Sequence, residues 1–135
     1  MSTLKGNIQQ TRNGCITTLL VCQASALILM DYDVGQASTL LSFGQFAVNL
    51  ALHLNCRIRA TFCCVEEFMW PLTKDTLVVR ISKCSFVFVL PGLLYGLQLP
   101  ASCQPKLINT FVEAFIQFGH YKDVNDNGSG KTLSS

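Results

Sequence analysis

Residues 36–54 read QASTLLSFGQFAVNLALHL, and the fold depends on how this stretch is taken. Its polar positions Ser38, Ser42, Gln45, Asn49 and His53 are spaced by four, three, four and four. At about 100° per residue they fall in one narrow stripe. Around the stripe stand Leu40, Leu41, Phe43, Phe46, Ala47, Val48, Leu50, Ala51, Leu52 and Leu54. The spacing predicts a helix over 36–54. An ordinary surface helix buries one stripe and exposes the rest. This one inverts the proportion, so it is expected to be covered on two sides, by its own sheet and by something else.

Working outward, residues 57–64 alternate strictly. Ile58, Ala60, Phe62 and Cys64 take one side, and Arg57, Arg59, Thr61 and Cys63 the other. That is the pattern of a half-buried strand. On the other flank, Cys15 to Cys22 is rich in β-branched residues and Ala26 to Tyr32 is apolar. They are expected to form a hairpin across Gln23-Ala24-Ser25 or one long bent strand. Residues 65–75 read as a connection holding Glu66, Glu67, Trp70 and Pro71. Strands over 76–82, 85–90 and 93–99 form an antiparallel meander, with Pro91-Gly92 suited to a type II turn. Pro105 opens a last helix with Leu107, Ile108, Phe111, Val112, Phe115 and Phe118 on its apolar side, and Gly119 sits at C′.

This order predicts an α+β fold, a single antiparallel sheet of about five strands with two main helices packed on it. Residues 1–13 are expected to be a flexible arm, 14–121 a single domain and 122–135 a disordered tail. The order ββαβ-βββα resembles that of longin, roadblock and other profilin-like domains. The resemblance is architectural and no family motif carries it. It implies function through pairing, by sheet extension or through the long helix.

Composition narrows the classes. Of 135 residues, 50% are hydrophobic and 13% are charged, which excludes a disordered chain and a coiled coil. A net charge of +2 provides too little field for a nucleic-acid binder working through a basic surface. The seven cysteines, at 15, 22, 56, 63, 64, 84 and 103, are odd in number and form no C-x-x-C. They read as small buried hydrophobes of a reducing compartment, the cytoplasm. Lys5, Arg12, the run 15–22 and Ala24-Ser25-Ala26 imitate a secretory signal. Against that, the apolar run continues through Leu27 to Met30. The uncharged runs 13–30, 34–56 and 84–105 keep a membrane-associated alternative open.

Chemistry-bearing patterns are sparse. Gly128 to Thr132 looks like the end of a P-loop, but Asn125 stands where its first glycine belongs. His53 and His120 pair by spacing with no cysteine, although Cys56 or Cys103 as nucleophile is a further alternative. Cys63, Cys64 and Cys84 lack zinc spacing. Asp31 with Asp33 and Glu66 with Glu67 read as solvated turns. Arg57, Arg59, Arg80 and Lys83 read as solubilising charge. No cofactor or metal is expected. The sequence points to a non-enzymatic interaction module, an adaptor or subunit that dimerises or joins a larger complex through a protein partner. Its expected contact residues are Phe43, Phe46, Leu50 and Leu54, with Trp70 as an aromatic anchor.

Overall fold

The computed structural model describes residues 8–10, 14–30, 38–53 and 58–124. The elements run β1 (Ile8–Gln10), β2 (Gly14–Met30), β3 (Thr39–His53), β4 (Ile58–Val65), β5 (Phe68–Pro71), β6 (Leu77–Ser82), β7 (Ser85–Leu90), β8 (Leu93–Gln98), α1 (Pro105–Phe118) and β9 (His120–Asp123). They build one mixed sheet in the order β5-β4-β3-β2-β8-β7-β6-β9, with β1 paired to β2 off this path. Every pairing is antiparallel except β6 with β9, which is parallel.

The predicted two-helix, five-strand fold is therefore corrected. The stretch expected to be the first helix is β3, paired to β2 from Gly14↔His53 to Leu29↔Thr39. A run that is apolar on both sides carries no period of two, so periodicity alone cannot separate strand from helix there. The polar stripe does not survive in the strand. Ser42 stands opposite the core residue Leu27, while Asn49 and Gln45 lie on the other side. Without the first helix the order shared with longin, roadblock and profilin-like domains is absent, and the resemblance loses its basis.

Of the two arrangements expected for residues 15–32, the single bent strand is found. Ala24 takes φ +56° where the register shifts between Cys22 and Ser25. Such a bulge lets a 17-residue strand bend without breaking. The meander and the last helix lie where the sequence puts them. Leu90 faces Leu93 across Pro91-Gly92, and Gly92 has the positive φ of +81° that the second position of a type II turn requires.

Gly119 is extended, at φ −115°, so its place beyond the helix has another cause. A Cβ there would come within 2.9 Å of Leu72 Cδ1 and 3.1 Å of the Phe115 carbonyl oxygen. The helix end is further held by Lys74, whose Nζ donates to the carbonyls of Ile116 (3.0 Å) and Gly119 (3.3 Å). A cation on unpaired C-terminal carbonyls is favoured by both hydrogen bonding and the helix dipole.

Three strands lie outside the predicted set. β1 falls in the range expected to be an arm, β5 in the expected connection, and β9 across the expected boundary between domain and tail at 121/122. Residues 1–7, 11–13 and 125–135, with Gly128 to Thr132 among them, and Asp31, Asp33, Cys56 and Arg57 lie outside the described residues.

The sheet curls around α1. Ile108, Phe111, Ala114 and Phe115 are buried against it. Phe115 meets Phe86 and Phe88 on β7 with ring centroids 5.2 and 5.5 Å apart, and Phe111 meets Phe46 on β3 at 5.2 Å. Trp70 on the edge strand β5 reaches Phe88 and Tyr95, each at 5.1 Å. The link from β5 to β6 is tied by Thr76, whose hydroxyl donates to the Pro71 carbonyl (3.2 Å) while its own carbonyl accepts the His120 amide (2.9 Å).

Candidate functional site

Helix α1 fills the inner side of the sheet, and residues alternate between that side and the other. Leu27, Val78, Phe86, Phe88 and Leu97 belong to the core. Their neighbours along each strand therefore face away from the helix. Register places Leu40, Ile28, Gly96, Val87 and Val79 in one row across β3, β2, β8, β7 and β6. The adjacent row holds Met30, Leu94, Val89 and Leu77. Ala26 pairs with Phe43 on the same side. These positions are apolar and none is charged. Among the described residues, no helix or second sheet packs on this outer side.

Coverage of the outer side is uneven. Met30 folds across Gly96, where an added Cβ would come within 2.9 Å of Met30 Sδ. Val87 is buried among its neighbours, whereas Leu40 is 62% exposed and Phe43 64%. Met69 on β5 is 61% exposed on the same side. Leu40 and Phe43 are neighbours on that side of β3, and adjacent exposed large apolar residues mark a contact surface more often than a single exposed leucine does.

Among the described residues, the β3 edge beside Leu40 and Phe43 is open. β4 pairs with β3 only from Phe46 to His53. At Gln45 the ladder ends on Glu66: its amide donates to the Gln45 carbonyl (3.4 Å), and its carboxylate accepts the Gln45 amide (2.9 Å). Glu66 holds φ +54° in the two-residue β4–β5 turn, and its side chain lies over Gly44. Beyond Glu66, among the described residues, no strand pairs with the outer edge of Thr39–Gly44. Gln45 turns its amide and carbonyl toward that edge, and alternation turns those of Phe43 the same way.

The expected contact residues are dispersed by this geometry. Phe43 is exposed on the outer side, and Leu50 is half-buried. Phe46 (0% exposed) and Trp70 (3%) are core residues, so their rings are not available at the surface. Leu54 lies outside the described residues. Leu40 was not among the expected residues, because the register shift between Leu27 and Ile28 leaves Leu41 unmatched and masks the pairing of Leu40 with Phe43 on one side. The sequence signal that could have found it is the absence of charge from Val34 to Cys56.

The thiols show a different chemistry. Cys15, Cys22, Cys63, Cys64, Cys84 and Cys103 are all free. Cys22 and Cys103 place their sulfurs 3.8 Å apart, well beyond the bonded distance of about 2.05 Å. Burial pushes the Cys103 thiol up to about 11, with the nearby Cys22 thiol adding to the rise. Burial also raises Cys63 and Cys64, the latter against an opposing hydrogen bond from Asn49. A nucleophilic cysteine requires a lowered value, so these three environments work against thiolate chemistry at neutral pH. Among the described residues, no group of three or more His, Cys, Asp or Glu side chains could hold a metal ion.

The uncharged runs 13–30, 34–56 and 84–105 supply β2, β3 and the β7–β8 hairpin. Among the described residues, no helix is long and apolar enough to cross a membrane. The Ala24-Ser25-Ala26 site lies inside β2, where Ser25 is fully buried. Compared with known proteins, the chain matches no family model, and no curated protein matches it.

Proposed function

We propose that this chain is a non-enzymatic interaction module, a small adaptor or subunit that binds another protein through the outer side of its sheet around Leu40 and Phe43. The observation that carries this reading is the uncharged apolar surface that α1 leaves uncovered, with its two largest exposures side by side on β3. Water-exposed apolar surface costs about 25 cal/mol per Å² relative to burial, so a partner that covers it is favoured without any specific polar contact. The raised thiols support this reading over a cysteine nucleophile. Free thiols at the six described cysteines support a reducing compartment such as the cytoplasm.

The test is cross-linking in cells at native expression, followed by isolation of the chain. The parent should carry a cross-linked partner that Leu40→Asp and Phe43→Asp both lose while keeping parental circular dichroism. A parent recovered only as an uncross-linked monomer, or a complex indifferent to both substitutions, would overturn the proposal.

A further inference from the structure

We propose that the covering partner is a second copy of this chain, joined antiparallel along the open edge of β3 between Thr39 and Gly44. This rests on the reading of the outer side as a contact surface. Edge strands are templates for further pairing, and proteins blunt them with charge, proline or short length. Residues 38–45, STLLSFGQ, contain none of the charged residues and no proline. Among the described residues their one block is Glu66, whose carboxylate accepts the Gln45 amide where the β4 pairing of this fifteen-residue strand ends. What remains open is a window of about 20 Å at the usual rise per residue.

Three features favour a second copy over an unrelated segment. A twofold axis brings identical windows together, each ended by its own Glu66, so the open lengths match. The window is uncharged, so no like charges meet across the axis. Phe43 presents both its amide and its carbonyl outward, which lets the two copies exchange reciprocal hydrogen bonds. Two-fold dimers of this isologous kind are the commonest homo-oligomers. A six-residue ladder alone buries less than the roughly 800 Å² per partner of a stable interface. The exposed Leu40 and Phe43 side chains of both copies, brought next to one another on the outer side, add their apolar area to it.

The experiment is light scattering across a concentration series on the full chain and three variants. Phe43→Pro removes the outward amide without touching the Ser42 and Gly44 groups that face β2, and proline is tolerated on an open edge. Phe43→Ala removes the ring and keeps the amide. Met30→Asp charges the outer side away from the edge. The parent should dimerise. Phe43→Pro should raise the dissociation constant about tenfold or more beyond Phe43→Ala, because each lost bond occurs twice in the dimer. Should Phe43→Pro fail to keep parental circular dichroism, Phe43→Lys, which sets like charges across the axis, should dissociate the dimer instead. A dimer that survives Phe43→Pro or Phe43→Lys and falls apart in Met30→Asp would overturn edge pairing and leave the contact surface standing. A parent that stays monomeric at every concentration would overturn the second copy as partner, and the cross-linking result then decides the broader reading.

Discussion

Trp70 on β5 stands edge-on to Tyr95 on β8, their ring centroids 5.1 Å apart and their planes at 69°. In the sheet, β4, β3 and β2 lie between these strands. A flat sheet would hold them roughly 19 Å apart at about 4.8 Å per strand. The contact therefore measures how far the sheet curls, and Trp70 joins its two halves across the core.

Removing that link should be costly. Trp70→Ala is expected to lower stability by about 3–5 kcal/mol, as truncation of a buried large aromatic does. Trp70→Phe should cost much less, because the buried indole Nε1 has no hydrogen-bond partner to lose. Urea unfolding followed by circular dichroism reads both. Equal costs for the two variants would contradict this, since the phenyl ring should restore much of the lost packing.

Two glycines should respond to alanine for different reasons. Gly119→Ala forces a methyl against Leu72 and a backbone carbonyl, and about 1–3 kcal/mol is expected for such overpacking. Gly92→Ala meets no atom within 4 Å, yet its φ of +81° is strained for any side chain, at about 1–2 kcal/mol. Adding Leu72→Ala should relieve Gly119→Ala in part and leave Gly92→Ala unchanged. Thermal unfolding of the double variants checks this.

Asn49 is a buried polar residue of β3 bonded on both sides. Thr18 donates its hydroxyl to Asn49 Oδ1 (2.8 Å), and Asn49 Nδ2 donates to Cys64 Sγ (3.4 Å). Asn49→Leu should destabilise by about 1–3 kcal/mol, since it leaves the half-buried Thr18 hydroxyl and Cys64 without their Asn49 partner. The pair Thr18→Val with Asn49→Leu should recover part of that loss, and a double-mutant cycle measures how much.

Stability should fall in alkali. Burial raises Cys103 from 9.0 to about 11, raises Cys63 and Cys64 from the same starting value, and raises Tyr121 from 10.0. Above about pH 9 the unfolded chain releases thiol protons that the folded chain keeps. The stabilisation is thus complete below pH 9 and is lost as pH climbs through about 11 for Cys103. Denaturant midpoints between pH 8 and 11 should decline, and less steeply in Cys103→Ser. A flat profile would contradict the buried placement of these thiols.

The C-terminal half was legible from the sequence because its signals are local. Pro91-Gly92, the alternation of 76–82 and the apolar stripe of 105–118 each fix their element within a few residues. The N-terminal half was not, because β2 and β3 are apolar on both sides and bulged, so neither strand shows a clean period. β5 was hidden by its short length and by Glu66-Glu67, which forms a tight hairpin turn and not a loop. β9 pairs in parallel with a strand far away in sequence, which no local pattern announces. Phe43 is exposed, although the helix over 36–54 from which it was named is a strand. Phe46 and Trp70 are equally large and apolar, and strand alternation, hidden by the helix reading, puts them on the inner side and Phe43 on the outer.

The most direct measurement is amide hydrogen exchange at Phe43 as a function of protein concentration. Ser42 and Gly44 turn their backbone groups toward β2 and serve as an internal reference for an intact strand. If another chain covers the β3 edge, the Phe43 amide is protected in concentrated protein and loses that protection on dilution, while Ser42 and Gly44 stay protected throughout. Exchange of the Phe43 amide at the unprotected rate at every concentration, with its two neighbours still protected, would contradict the account.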